Sequence, residues 1–413
     1  MPLNLIFCGT PRFAVPTLEK LVHAGFPVHL VVTQPDRPKG RGLELVQSPV
    51  KESALKLNLP ITQPDRIKIN DEFRAQLTAL QPDAIIVVGY GRIIPQWMLD
   101  LPPLGNINLH ASLLPRYRGA APIQWAIANG ETVTGVTTMR IDAGLDTGDI
   151  LQQQQLAIAP DDNAETIAPR LASIGADLMV DTLRALQSAT IHPRPQDNSQ
   201  ATLAPILKKE DGFIDFSRSA TDIFNRIRAF QPWPGAHTKF RGKTLQIMKA
   251  QPTADAAAPS ELCVIANRLV VGCAHNTSLE LLEVQLEGKK RTPAADFLRG
   301  HRPAPPEKSW ANLCVPGACP ECTALWPTLG DENPGAPFLA RSLREKWGLS
   351  TERSRRVLKV FLSSESTIDK QCQSPPPAPP PSTSSSASSA NPPTPPTSCT
   401  LPDTPTSPIP ITP

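Results

Sequence analysis

Residues 106–127 read NINLHASLLPRYRGAAPIQWAI, and the first half of this stretch decides how the chain is interpreted. Its opening letters suit a short β-strand, in which residues two apart project to the same face. Asn108 and His110 therefore share a face, and Ser112 joins them if the chain stays extended. The strand then breaks at SLLPRYRG. Because ligands bind beyond the carboxyl ends of parallel strands, the pattern indicates a binding site, with a structural histidine as the alternative.

Strand-like and helix-like segments alternate around that stretch, over residues 1–189. Short aliphatic or β-branched runs include LNLIFCG, FPVHLVVTQ, DAIIVVGYG and TGVTTMRI. Between them lie stretches with apolar residues at helical spacing, such as VPTLEKLVHAG and DEFRAQLTALQ. Continuous apolar strands separated by helices predict an α/β fold with a doubly wound, mainly parallel sheet.

The rest of the chain divides into three segments of different composition. Residues 190–204 are polar and irregular, which is typical of a linker. Residues 205–303 combine a helix with several short strands, and this predicts a small OB-like β-barrel. That domain holds 15 Lys and Arg against 10 Asp and Glu, a net charge of +5, whereas the whole chain carries only +3. Residues 304–413 end in Pro/Ser/Thr-rich low complexity, so we expect a largely disordered C-terminal tail.

The composition also excludes several classes of protein. No stretch approaches the ~18 uncharged apolar residues of a membrane helix. Neither a signal peptide nor a transit segment is recognisable, so we expect a cytoplasmic protein, with cysteines such as Cys8 as reduced core thiols. Cys314, Cys319 and Cys322 hint at zinc, but a structural zinc site needs four ligands and no fourth lies nearby. We therefore expect no metal.

The segment DAGLDTGD, residues 142–149, carries three candidate carboxylates: Asp142, Asp146 and Asp149. Asp and Gly are also the usual residues of a solvated turn. A calcium loop fits less well, because the regular Asp-x-Asp-x-Asp-Gly order and the closing Glu are missing. In the functional interpretation one carboxylate faces His110, orients its ring and supports its charged form. The pattern does not choose among the three.

A long connection, TQPDRPKGRGLELVQSPVK at residues 33–51, follows the second strand-like run. Strand–helix connections are usually about 2–6 residues long, so this one is unusual. It is also basic, with Arg37, Lys39, Arg41 and Lys51. Such a loop could act as a lid or contact nucleic acid, or it could be a plain solvated loop.

The run INLHASLLPRYRGAAPIQWAI, with DAGLDTGDIL downstream, resembles the 10-formyltetrahydrofolate-dependent formyltransferases. The resemblance covers about residues 1–303 and implies a Rossmann-like catalytic domain, 10-formyltetrahydrofolate as co-substrate and no metal. It implies a catalytic trio of Asn108, His110 and Asp146. It also implies two sets of folate contacts: Ser112, Leu113, Leu114 and Pro115, and, in the segment IIVVGYGRI, Val88, Gly89, Tyr90 and Gly91.

Two further features narrow the resemblance to the members that formylate initiator methionyl-tRNA. They are the loop TQPDRPKGRG and the second-domain segments ILKKEDGFIDFSRSA and IRAFQPWPGAHT. In the implied reaction Asn108 donates to the formyl oxygen, His110 polarises it or shuttles a proton, and Asp146 orients His110. We expect a monomer whose second domain helps to hold the tRNA. Expected tRNA contacts are Lys39, Arg41, Lys208 and Lys209, with Lys289, Lys290 and Arg291 as further phosphate contacts, although each could equally be a solvated charge.

The trio leaves alternatives open. It also suits relatives that formylate a small amine or a sugar nucleotide, or that hydrolyse formyl-folate, and only the loop and the second domain favour tRNA. A folate- or RNA-binding protein without catalysis is a different class, and the intact trio argues against it. The extension at residues 304–413 has no counterpart in the family pattern.

Overall fold

The computed structural model describes residues 3–39 and 44–301 of the chain. Several sequence-based predictions fall elsewhere. Outside the described residues lie the tRNA contact by Arg41, the side chain of Lys39, the tail at 304–413, and Cys314, Cys319 and Cys322.

The described strands of the first domain form one large sheet and one small hairpin. They are β1 (Leu5–Gly9), β2 (Val28–Val32), β3 (Arg37–Lys39), β4 (Glu44–Val46), β5 (Ile61–Thr62), β6 (Ala84–Val88), β7 (Asn106–His110), β8 (Val133–Arg140) and β9 (Ile150–Ala157). The large sheet has the order β5-β2-β1-β6-β7-β8-β9, and β3 pairs with β4. Strands β5, β2, β1, β6 and β7 run parallel, so the predicted mainly parallel sheet is confirmed.

The strand from TGVTTMRI departs from the parallel pattern that the other apolar runs follow. This strand, β8, runs antiparallel to both β7 and β9. Residues 141–149, which join β8 to β9, are too few for the crossover of a dozen or more residues that a parallel pair needs. The Gln-rich β9 is the edge strand of the sheet among the described residues, and its polar composition does not match the apolar pattern that predicted the other strands.

Helices cover both faces of the large sheet. They are α1 (Val15–His23), α2 (Pro49–Lys56), α3 (Asp71–Ala79), α4 (Gln96–Leu99), α5 (Pro122–Ala128) and α6 (Ala164–Gln187). Leu5 and Phe7 of β1 belong to an apolar cluster shared with α1, α2, α5 and α6. Ile6 and Cys8 belong to a second cluster with α3 and α4, on the other face. The alternation along β1 therefore produces the doubly wound arrangement.

The second domain is an antiparallel half-barrel with two packed helices. Its elements are α7 (Ala220–Ala229), β10 (His237–Phe240), β11 (Lys243–Thr253), β12 (Leu262–Ile265), β13 (Arg268–Cys273), β14 (Thr277–Leu286), β15 (Thr292–Pro293) and α8 (Ala294–His301). The strands pair in the order β10-β11-β14-β13-β12, and β15 adds to β14. The predicted small barrel is confirmed in this half-barrel form.

The segment at residues 190–204 is irregular, as its composition predicts, but it is bonded closely to the first domain. Arg194 exchanges two backbone hydrogen bonds with Ile150, of 2.8 and 2.9 Å. Further along, Arg118 N donates to Thr202 O at 2.8 Å, and Ala204 N donates back to Arg118 O at 2.7 Å. The segment therefore lies against the chain that follows β7.

Candidate active site

Polar side chains stand at the carboxyl end of β7, as the alternation along this strand predicts. Ile107 and Leu109 join the apolar core. Asn108 is partly exposed, and its side chain forms no hydrogen bond with another described residue. His110, at the last position of the strand, is 6% exposed. The end of β7 thus presents one unpaired amide and one buried imidazole on the same face.

Both ring nitrogens of His110 face hydrogen-bond acceptors. Nε2 lies 2.9 Å from the backbone oxygen of Tyr117, and because a carbonyl only accepts, Nε2 carries the proton. Nδ1 lies 3.6 Å from Asp146 Oδ2, slightly too far for a direct hydrogen bond but within the range of a charge contact. The ring therefore donates through Nε2 and faces a carboxylate through Nδ1.

Asp146 is the carboxylate of the 142–149 loop that faces His110. Asp142 instead binds inside its own loop, accepting from Thr147 Oγ1 at 2.7 and 2.8 Å and from Gly144 N at 3.0 Å. The Asp146 carboxylate also accepts from Gly119 N at 2.9 Å. Its backbone has φ +51°, in the left-handed region that non-glycine residues seldom occupy. Tertiary contacts therefore choose Asp146 among the three candidates.

The loop passes so close to β8 that one of its glycines is required. A Cβ atom at Gly148 would lie 1.9 Å from the backbone oxygen of Arg140. That distance is far inside van der Waals contact, so any side chain would push the loop away from the sheet. Gly148 thus allows the approach that carries Asp146 to His110.

Residues 112–115 form a turn that is stabilised by contacts of its buried side chains. Ser112 is buried, and its hydroxyl donates to Arg116 O at 2.6 Å. Leu114 packs against Met139 and Ile150, and its peptide bond to Pro115 is cis. The side chains of Ser112 and Leu114 are thus engaged within the turn, whereas Leu113 and Pro115 are partly exposed.

In residues 88–91, the second segment predicted to contact folate, mainly backbone atoms are available for contact. The side chains of Val88 and Tyr90 are buried, and burial raises the pKa of the Tyr90 phenol well above its ordinary value. Gly89 and Gly91 both have positive φ, of +56° and +75°. Gln34 Nε2 donates to Tyr90 O at 2.8 Å, so this carbonyl is already bonded within the protein.

The predicted tRNA contacts are spread over the described surface. Lys208, Lys209, Lys289 and Lys290 are exposed. Arg291 is exposed as well, but its guanidinium pairs with Glu283. Each of these side chains is accessible from solvent, and no site geometry singles out one of them.

Lys51, at the end of the long basic loop, has a structural contact. Its Nζ lies 2.6 Å from Asp36 Oδ2. Hydrogen bonds from Lys51 and Gln63 lower the pKa of Asp36 below its ordinary value. This ion pair joins the two ends of the loop and leaves Arg37 as an exposed cation within it.

Three residues next to the site were missed by the sequence reasoning. Tyr117 supplies the carbonyl that binds His110. Arg118 donates to Gln196 Oε1, and Gln196 Nε2 in turn donates to the backbone of the Asp146 loop. Tyr117 and Arg118 lie in the quoted SLLPRYRG run, but no short pattern connects either with Gln196, which is far away in sequence.

Within the described residues, no helix has the length and apolar character needed to cross a membrane.

Comparisons with known proteins place these features in a family. Residues 3–183 match the family model "Formyl transferase", and residues 206–302 match "Formyl transferase, C-terminal domain". The methionyl-tRNA formyltransferase of Koribacter versatilis is 66% identical over 304 residues, covering 74% of this chain and 97% of that protein. The enzyme of the same name from Acidobacterium capsulatum is 61% identical over 305 residues, covering 73% and 98%.

A solved structure shows the same fold at much lower identity. A sugar 3N-formyl transferase superimposes with a TM-score of 0.52 and 18% identity, covering 70% of this chain and all of its own. At that identity the likeness concerns the fold alone.

Proposed function

Because this chain belongs to the formyltransferase family, and within it to the methionyl-tRNA formyltransferases, we propose a residue-level account of how its site performs the reaction. The enzyme transfers the formyl group of 10-formyltetrahydrofolate to the α-amino group of methionine on initiator tRNA. The observation that carries the assignment of residues is the arrangement of Asn108, His110 and Asp146 at the end of β7.

The nucleophile is the α-amino group of the esterified methionine. Such amines titrate around 7.7–8.0, so part of the population is uncharged near neutral pH. The nitrogen attacks the formyl carbon, the bond from that carbon to N10 of the folate breaks, and the proton lost by the amine passes to N10. Negative charge develops on the formyl oxygen during the attack. The unpaired Asn108 amide is the group that donates to this oxygen.

His110 acts mainly as a polarising group in this account. Its Nε2 proton is committed to Tyr117 O, and its Nδ1 faces the Asp146 carboxylate, which attracts positive charge on the ring. A positive imidazolium beside the formyl group stabilises the developing oxyanion, and Asp146 supports that charge.

The folate lies, in this proposal, against the two segments beyond the strand ends. Gly89 and Gly91 allow close approach of the pterin ring to the backbone, because neither carries a side chain. Leu113 and Pro115 contribute exposed apolar surface, whereas Ser112, Leu114, Val88 and Tyr90 contribute by holding the two turns in shape.

The tRNA contacts are proposed from charge and exposure. We assign phosphate contacts to the accessible cations, which position the tRNA without reading its sequence. They are Lys208 and Lys209, and Lys289 and Lys290, with Arg291 weaker because Glu283 already pairs with it. Lys39 and Arg41 of the long loop are proposed from their charge and from the family resemblance alone. We also propose that residues 1–189 form the catalytic domain and 205–303 the tRNA-holding domain, and that the protein acts as a cytoplasmic monomer.

A substrate comparison tests the function. Purified protein is given 10-formyltetrahydrofolate and, in parallel, initiator Met-tRNA, elongator Met-tRNA, a small primary amine or a sugar amine. We expect transfer to initiator Met-tRNA with a kcat/KM far above that for any other acceptor. Preferred transfer to the sugar amine, or hydrolysis of the formyl-folate with every acceptor, would contradict the tRNA assignment.

A further inference from the structure

Arg118 is a buried cation held by neutral partners. Only 7% of its surface is exposed. Its Nε and one terminal nitrogen donate to Gln196 Oε1 at 3.0 and 2.8 Å, and the same terminal nitrogen donates to Asn198 Oδ1 at 2.9 Å. A buried charge needs polar partners, and side-chain amides from the segment at 190–204 supply them.

These bonds fix the direction in which the Gln196 amide faces. A guanidinium only donates, so it selects the carbonyl oxygen of Gln196. The amide nitrogen must then point away from Arg118. It donates to the backbone oxygens of Asp146 at 2.9 Å and of Gly148 at 2.7 Å. One side chain therefore joins the buried cation to the loop that carries the candidate carboxylate.

The loop is held at Asp146 from two directions. Gln196 binds its backbone oxygen, and Gly119 N, next to Arg118 in the chain, binds its carboxylate. The left-handed backbone of Asp146 is a conformation that persists only where surrounding contacts impose it. Together these contacts leave Asp146 Oδ2 at 3.6 Å from His110 Nδ1.

We propose that Gln196 is a positioning residue for formyl transfer: oriented by Arg118, it clamps the 142–149 loop so that Asp146 faces His110. The proposal rests on the function proposed above. The hydrogen bonds of Gln196 within the described residues go to Arg118 and to the loop backbone, so it acts through Asp146 rather than on the reacting atoms.

The variant Gln196→Glu separates this role from a merely structural one. A carboxylate remains an acceptor for Arg118, so the buried cation keeps its partner. The same carboxylate cannot donate to the two loop oxygens. We expect kcat to fall by about 10- to 100-fold, since small displacements of a positioned group cost that much, while KM for each substrate stays within about twofold. The Tm should stay close to the wild-type value.

Gln155→Glu is the matched control. It makes the same chemical change at an exposed position of β9 and should leave kcat, KM and Tm unchanged. If Gln196 serves only as a hydrogen-bond acceptor for Arg118, Gln196→Glu will keep the wild-type kcat, because a carboxylate is an even better acceptor for the guanidinium. That result would overturn the proposal.

A double-mutant cycle with Asp146→Asn gives an independent readout. If Gln196 works through Asp146, the double variant is no slower than Asp146→Asn alone, whereas rate losses that multiply would contradict the proposal. Should Gln196→Glu not fold, Gln196→Ala goes through the same cycle with the same criteria. Failure of the proposed function is distinguishable, because the wild-type protein would then transfer no formyl group to Met-tRNA.

Discussion

Asp146→Asn is the perturbation whose effect can be worked most directly from the structure. The carboxylate oxygen lies 3.6 Å from His110 Nδ1, and the side chain of Asp146 is 19% exposed. With an effective dielectric constant of about 20, opposite unit charges at that distance attract by about 4.6 kcal/mol. If all of that attraction supports the charged ring in the transition state, its loss slows the reaction by about 2,000-fold, which sets the upper limit.

The substituted amide keeps the shape of the loop. An Asn carbonyl can still accept from Gly119 N, although this bond loses its charge assistance, which costs about 1 kcal/mol of unfolding free energy. We therefore expect a kcat lower by about 100- to 1,000-fold, with only a small fall in Tm. Single-turnover formylation of initiator Met-tRNA measures the rate, and thermal unfolding measures the stability.

Asp142→Asn provides the control in the same loop. Its side chain binds Thr147 and Gly144 rather than facing His110, and an Asn there can still accept both bonds. We expect it to keep a rate within a few-fold of wild type. If the Asp146 variant were no slower than this control, the electrostatic argument for Asp146 would be wrong.

Three further outcomes are expected. Asn108→Ala should lower kcat by about 100- to 1,000-fold with little change in Tm. Asn106→Ala removes the amide that donates to Met98 O at 2.8 Å and should mainly lower the unfolding free energy. If the two variants had equal effects on kcat and on calorimetric stability, the catalytic role of Asn108 and the structural role of Asn106 would be contradicted. Burial raises the pKa of Asp162, but hydrogen bonds from Ala159 N, Thr166 and Arg170 outweigh it and keep that pKa below its ordinary value. The ionised carboxylate therefore stabilises the folded state above about pH 4, and this contribution is lost as the pH falls through the folded-state pKa. In Asp162→Asn, the unfolding free energy should therefore fall less steeply with decreasing pH at acidic pH than it does in the wild type. An unchanged slope would contradict the role assigned to Asp162. Truncation after Pro303 should keep the formylation rate, because the matched region already spans 97% of a relative's length; a large loss would reveal a function of the tail.

Much of the fold could be predicted from the sequence because it depends on local patterns. Apolar runs separated by helical spacing are sufficient to predict a covered, mainly parallel sheet, and the alternation in NINLH is sufficient to place Asn108 and His110 on one face. Strand β8 was harder, since nothing in the letters of TGVTTMRI distinguishes an antiparallel strand from a parallel one. The short connection makes β8 and β9 antiparallel to each other, but the sequence pattern did not predict β9 as a strand because it is rich in glutamine.

The sequence by itself determined the fold class, the polar end of β7 and, through resemblance, the reaction. Tertiary structure decided which aspartate faces His110, that Ser112 is engaged inside its turn, and that the segment at 190–204 reaches the site through Gln196. For the aspartate and for Gln196, the physical reason is that the deciding contacts join distant parts of the chain, and Gln196 lies 50 positions from Asp146 and 78 from Arg118. Such contacts carry no periodic signal, because they exist only once the sheet has brought distant segments together.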